Sequence, residues 1–145
     1  MWIDRLTSSR TLHAVELAAQ FAEQRQRVLA ENMANIDTPD YHSQRLDPAA
    51  FQTSLRDALS RANQTGQTGL ELRGNAQFST DAAGRATARP VTEPAPNVLF
   101  QDGTNGRLEQ LVASANSNAL SYELATELLR NRLDNLMQAI RGRAT

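Results

Sequence analysis

Asn32-Met33-Ala34-Asn35-Ile36-Asp37-Thr38-Pro39-Asp40-Tyr41 is the stretch where a long helical pattern runs out of helix-forming residues and turns. Upstream of it, from about Thr11, the residues Val15, Ala18, Ala22, Leu29, Met33 and Ile36 recur at alternating three- and four-residue steps, with polar Arg25 and Asn32 filling the remaining steps. That spacing is a helix seam. Leu17, Phe21 and Val28 widen it into a stripe able to face more than one neighbour, while Glu16, Gln20, Glu23, Gln24 and Arg27 fall largely on the other side. The spacing predicts a helix over 11–35, roughly 37 Å long at the standard rise. It ends at the turn for three reasons: Asn35 tolerates a C-cap geometry, Thr38 is pushed out of the helical region by Pro39, and Pro39 has no amide donor.

Composition narrows the function classes. The chain has 145 residues, room for one small domain or for a helical unit with an insertion. Fifteen basic residues, all arginine, oppose 16 acidic ones, so no polyelectrolyte partner is implied. Cysteine is absent, which excludes disulfides and thiolate metal sites. Residues 1–10 lack the apolar core and small-residue cleavage site of a Sec-type signal peptide, and no apolar run approaches membrane-spanning length. Direct membrane insertion is therefore not expected. Residues 1–10 read as loosely ordered until assembled.

Beyond the turn segment, 36–47, Asp47-Pro48 has the form of an N-cap followed by proline at the first helical position. Phe51, Leu55 and Leu59 then repeat every four residues, predicting a short helix over 48–62. From 63 to 106 the periodicity fades. Gln64-Thr65-Gly66-Gln67-Thr68-Gly69 has the composition of a flexible tract, and Pro90, Pro94 and Pro96 crowd together. A flexible middle is expected, with at most a weak β-hairpin drawn from the short apolar runs Leu70-Glu71-Leu72 and Val98-Leu99-Phe100 and a turn at Asp81-Ala82-Ala83-Gly84. Asp102-Gly103-Thr104-Asn105-Gly106 is a further turn.

The helical pattern then returns over 107–145. Leu108, Leu111, Ala115, Tyr122, Ala125, Leu129 and Leu136 hold seam positions, beside Val112, Ala119, Leu133 and Ile140. Asn118 and Arg132 interrupt the seam, as polar residues do where register must be set. The expected fold is mainly α, with the long N- and C-terminal amphipathic helices packed as an antiparallel coiled-coil-like pair. Stripes this broad exceed what one partner helix covers.

Catalytic and ligand-binding templates fail residue by residue. His13 and His42 are the only imidazoles and lack zinc-site spacing, so no metal is expected. The glycines form no phosphate-cradling loop, so no nucleotide or other cofactor is expected. Asp37, Asp40 and Asp47 cluster near the turn, where turn and capping roles account for them better than acid–base chemistry. Arg25 and Arg27 are offset by Glu23 and Glu31, which disfavours nucleic acid. No enzyme is indicated.

The pattern N-x-A-N-x-x-T-P-x-Y, carried by Asn32, Ala34, Asn35, Thr38, Pro39 and Tyr41 after an amphipathic helix, resembles the signature of bacterial flagellar axial proteins, most closely the FlgB family of proximal rod proteins. Asp47, Phe51 and Leu55, and later Asp102, Gly103, Asn105, Asn116, Leu120 and Tyr122, are loosely similar to phrases of the same family. Asp40 stands where glycine is common in it. The resemblance implies a structural rod subunit in the periplasmic part of the basal body, exported without a cleaved signal peptide through the flagellar type III apparatus. It implies other rod subunits, ring proteins and export-gate proteins as partners, and an open helical assembly that transmits torque. Val15, Leu29, Met33, Leu129, Leu133, Leu136 and Ile140 are the residues expected to pack between subunits. The alternatives are a sibling rod protein of the same axial family and a cytoplasmic helical adaptor or export chaperone.

Overall fold

In the computed structural model the described residues are 9–67, 69–73, 76–93 and 108–142. They are mainly helical, with three helices and four short strands. Helix α1 spans Ser9–Ala34, α2 Pro48–Thr65 and α3 Leu108–Ile140. Strands β1, Gln44–Arg45, and β4, Val91–Thr92, pair antiparallel. So do β2, Phe78–Thr80, and β3, Ala86–Ala88, with Phe78 opposite Ala88.

α1 ends within one residue of its predicted stop. Asn35 closes the last turn by donating from its side-chain amide to the Glu31 carbonyl at 2.9 Å, as its own backbone amide does at 3.1 Å. α2 begins as read: the Asp47 carboxylate accepts from the amides of Ala49 and Ala50, satisfying donors that have no partner inside the helix. It runs three residues past the expected end at 62. Arg10 reaches across from α1 to the Ala62 carbonyl and the Asn63 side chain, Thr65 bonds back to the Arg61 carbonyl, and Gly66 then takes the left-handed cap at φ 71°.

The core lies on one face of α1. Leu17, Phe21 and Val28 meet Phe51, Ala58 and Ala62 of α2, and Leu46, Leu70, Leu72 and Phe78 close over them. At its centre Phe21 and Phe51 stack at 4.2 Å between ring centroids, and Phe78 meets both edge-on at 5.4 and 5.6 Å. Such pairs add roughly 0.5–1.5 kcal/mol each beyond the area they bury. The stack holds α1, α2 and the hairpin together.

The middle is more structured than its composition predicted. Asp81 makes the β2–β3 turn by accepting from the amides of Ala83 and Arg85, with Gly84 at φ 78°. The Asp81 carboxyl sits below the usual carboxylate range, chiefly because the Arg85 backbone amide bonds to it. The Gln20 and Gln24 side chains of α1 accept from the amides of Ala86 and Ala88, and Gln24 also donates to the Ala86 carbonyl. The hairpin edge is thus bound to a helix through glutamines, a link that hydrophobic periodicity does not register. Leu70-Glu71-Leu72, expected as a strand, is not one. Both leucines are buried, but the Leu70 amide donates to His13 Nδ1 and the Leu72 amide to Thr80 Oγ1, so side chains supply what a ladder would. Val98-Leu99-Phe100 and the turn at 102–106 lie outside the described residues, as do residues 1–8.

α3 packs against the other side of α1. Asn118 is buried there, donating to the Ala22 carbonyl at 2.8 Å and to Gln26 Oε1 at 2.9 Å, while Arg25 donates to its Oδ1 at 3.4 Å. The polar interruption in the seam is therefore satisfied across the two helices. α3 stops where Arg141 donates back to Met137 and Gly142 turns left-handed.

Candidate functional site

Two features are left after the core is accounted for: the turn that follows α1, and the side of α3 that α1 does not cover. Asn32 organises the turn. It is 2% exposed, the most completely buried polar residue besides Asn118 among the described residues. Its amide nitrogen donates to the Gln44 carbonyl at 2.7 Å; its oxygen accepts from the Gln44 amide at 2.9 Å and from the Tyr41 hydroxyl at 3.0 Å. One side chain in the last turn of α1 thus clasps the returning chain at β1. A buried amide is tolerated because its polar atoms have partners.

The rest of the motif shapes the path between those ends. Thr38 donates to the Asn35 carbonyl through its backbone and, at 3.4 Å, to Asn35 Oδ1 through its hydroxyl. The Tyr41 amide donates to the Thr38 carbonyl across Pro39 and Asp40. Asp40 sits at φ 60°, the only non-glycine residue in the left-handed region among the described residues. Aspartate is one of the few side chains that tolerate it, so the turn forms here without a glycine. The Tyr41 hydroxyl is held above its ordinary range by burial and, secondarily, by the Glu31 carboxylate, so it remains a hydrogen-bond donor to Asn32. Ala34, Thr38 and Pro39 face outward and are exposed.

A small cavity of about 130 Å³ lies behind the clasp, where Arg25, Asn32 and Gln44 meet Gln110, Leu111 and Ser114 of α3. Burial lowers the Arg25 guanidinium from its ordinary value, partly offset by the Asp47 carboxylate. The cavity has the volume of a few waters, too little for a substrate-sized molecule. Among the described residues no three His, Asp or Glu side chains group as a metal site would require, and no helix is long and apolar enough to cross a membrane.

The residues expected to pack between subunits divide. Leu29 is buried within the chain, and Val15, Met33 and Leu129 are half-buried. Leu133, Leu136 and Ile140 are exposed, Ile140 at 85%. A row that the seam reading passed over stands out equally: Leu120, Leu124 and Leu128 follow at four-residue steps and are exposed, Leu120 at 68%. The signal was present as i, i+4, i+8 leucines, but a seam drawn toward one partner leaves out a second apolar face on the same helix.

No family model matches the chain. Among curated proteins it is similar to the flagellar basal body rod protein FlgB of Salmonella typhimurium, at 26% identity over 97% of this chain and 98% of that one. The FlgB proteins of Escherichia coli and Bacillus subtilis are each 24% identical to it, over 97% and 92% of this chain and 98% and 95% of theirs. The likeness runs from end to end, including the middle where the motif phrases are weak, and the relatives come from distant bacteria. Over nearly its whole length the chain is similar to FlgB flagellar basal body rod proteins.

Proposed function

We propose that the chain is a structural subunit of the proximal rod of the bacterial flagellar basal body, reaching the periplasm through the flagellar type III export apparatus and contributing stiffness rather than chemistry. The end-to-end similarity to FlgB proteins carries this reading. Leucines left uncovered on a long helix support it, because apolar rows of that kind on a charge-balanced chain call for other subunits. Other rod subunits, ring proteins and export-gate proteins are the proposed neighbours.

In this reading the terminal helices form an antiparallel, coiled-coil-like pair. Asn118 beside Ala22 and Gln26, with Gln110 and Leu111 near Leu29 and Asn32, supports that direction. The hairpin and α2 thicken one side of the pair, and the turn holds the chain at its end. Repetition of one heterologous contact gives an open helical array able to carry torque.

Mass spectrometry of detergent-resistant hook–basal bodies from the source organism tests the assignment. Recovery of this chain at a few copies per particle is the expected result; its absence from intact particles would move the assignment to a cytoplasmic adaptor or export chaperone. Leu133→Asp should block incorporation through the cost of burying an unpaired charge. Normal incorporation of that variant would remove Leu133 from the packing surface.

A further inference from the structure

Among the described residues, every exposed large apolar side chain lies on α3, with the single exception of Val91. Seven of the ten form two groups of unlike surroundings, with Leu108, Val112 and Tyr122 outside them. Leu120, Leu124 and Leu128 make a row turned away from the α1-facing residues Ala115, Asn118 and Ala125. Glu123 and Glu127 stand three positions beyond Leu120 and Leu124, beside the row, and residues 108–128 contain no basic residue. Leu133, Leu136, Met137 and Ile140 make the second group, near the end of the helix. Arg130, Arg132 and Arg141 accompany it, against the single acid Asp134.

A second copy that covers either group needs apolar surface of its own, and among the described residues that surface, Val91 apart, is on α3. Contact between copies through the described residues is therefore α3 on α3. Setting the leucine row on itself would bring the glutamates of two copies together, whereas setting it on the second group brings glutamates to arginines. We propose that the Leu120–Leu124–Leu128 row of one copy receives the Leu133–Leu136–Met137–Ile140 group of a second copy, with the two helices offset by about 12 residues, or ~18 Å along the axis. The contact is heterologous, so each added copy presents a fresh row and the series does not close on itself. This specifies the self-contact left open in the rod reading and rests on that reading. Seven side chains make a patch well below the ~1,600 Å² of a standard stable interface, so a pair of copies associates weakly and the contact gains strength by repetition.

The absence of cysteine makes the contact directly readable. Full-length chains carrying Leu124→Cys and Leu136→Cys are mixed at high concentration under mild oxidation, with Gln52→Cys, exposed on α2, as the control for random collision. The expected result is a 124–136 disulfide in excess of 124–124, 136–136 and all control dimers. At this offset Glu127 stands opposite position 139, near Arg141. Glu127→Arg should lower the yield by up to about fivefold, the upper scale of one exposed ion pair, and Arg141→Glu on the other copy should restore it. A dominant 124–124 disulfide, or yields equal to the control, would overturn the contact. The same pair of variants incorporated into basal bodies separates the two claims: recovery in particles without the 124–136 link overturns the contact and leaves the rod assignment standing, whereas the link in solution with no recovery in particles supports the contact and overturns the rod assignment.

Discussion

Asn32 at the end of α1 and Ile140 at the end of α3 invert the usual rule of burial: the amide is 2% exposed and the isoleucine 85%. The difference lies in where each finds partners. Asn32 has three hydrogen bonds within its own chain, to Gln44 and Tyr41, so burying it strands nothing. Ile140 has no covering apolar surface among the described residues. One end of the molecule is completed by the chain, and the other presents what an assembly would complete. A polar residue can therefore be core, and an aliphatic one surface, when partner geometry rather than residue type decides.

The contrast predicts that substitutions around α1 act on the folding of the single chain, while those on the outer side of α3 act on association alone. The largest effect on folding is expected at Phe51→Ala, which removes a ring stacked on Phe21 and edge-packed on Phe78; a loss of about 3–5 kcal/mol in urea unfolding is expected. A loss under 1 kcal/mol would show that the aromatic cluster does not hold α1, α2 and the hairpin together. Asn32→Ala comes next. It leaves both backbone groups of Gln44 and the Tyr41 hydroxyl without their partner, at a cost of about 2–3 kcal/mol, with amide exchange at Gln44 accelerated ahead of global unfolding.

Asn118→Leu sharpens the comparison from the other side of α1. The Ala22 carbonyl keeps its place in the helix and Gln26 is half-exposed, so stability should change by no more than about 1 kcal/mol, while the α1–α3 register loosens. Cross-linking of cysteines placed at positions 22 and 115, then at 22 and 122, would show a single register in the parent and mixed registers in the variant. Acid tests the hairpin. The Asp81 carboxyl is depressed in the folded chain, so the stabilisation it gives is present above the unfolded carboxylate range and is lost as pH falls through its folded value. Asp81→Asn keeps the acceptor oxygen and should flatten that part of the acid unfolding curve. The smallest effect belongs to Ile140→Ser, within about 0.5 kcal/mol for the single chain. A destabilisation of several kcal/mol there would mean that Ile140 is covered within its own chain, and the contrast with Asn32 would fail.

Much of the architecture was legible from local signals. Asp47-Pro48 marked the start of α2 because a carboxylate acceptor and a residue without an amide suit the first turn of a helix. Asn35 and Pro39 marked the end of α1 for similarly short-range reasons. The Asn-Thr-Pro-Tyr turn was visible as a motif, and so was the polar break at Asn118. Two histidines without zinc-site spacing and no cysteine likewise set the expectation that no zinc is bound.

Tertiary structure decided the rest. That Asn32 clasps Gln44 twelve residues on, that Gln20 and Gln24 bind a hairpin edge more than sixty residues away, and that His13 receives the Leu70 amide are pairings between distant polar groups. Hydrophobic periodicity carries no trace of them, because a glutamine facing a strand edge and one facing water read alike. The same limit hid the outer row of α3. Periodicity shows that Leu120, Leu124 and Leu128 share a side of the helix, but only the placement of α1 on another side determines which leucines the chain itself covers and which it leaves to a neighbour.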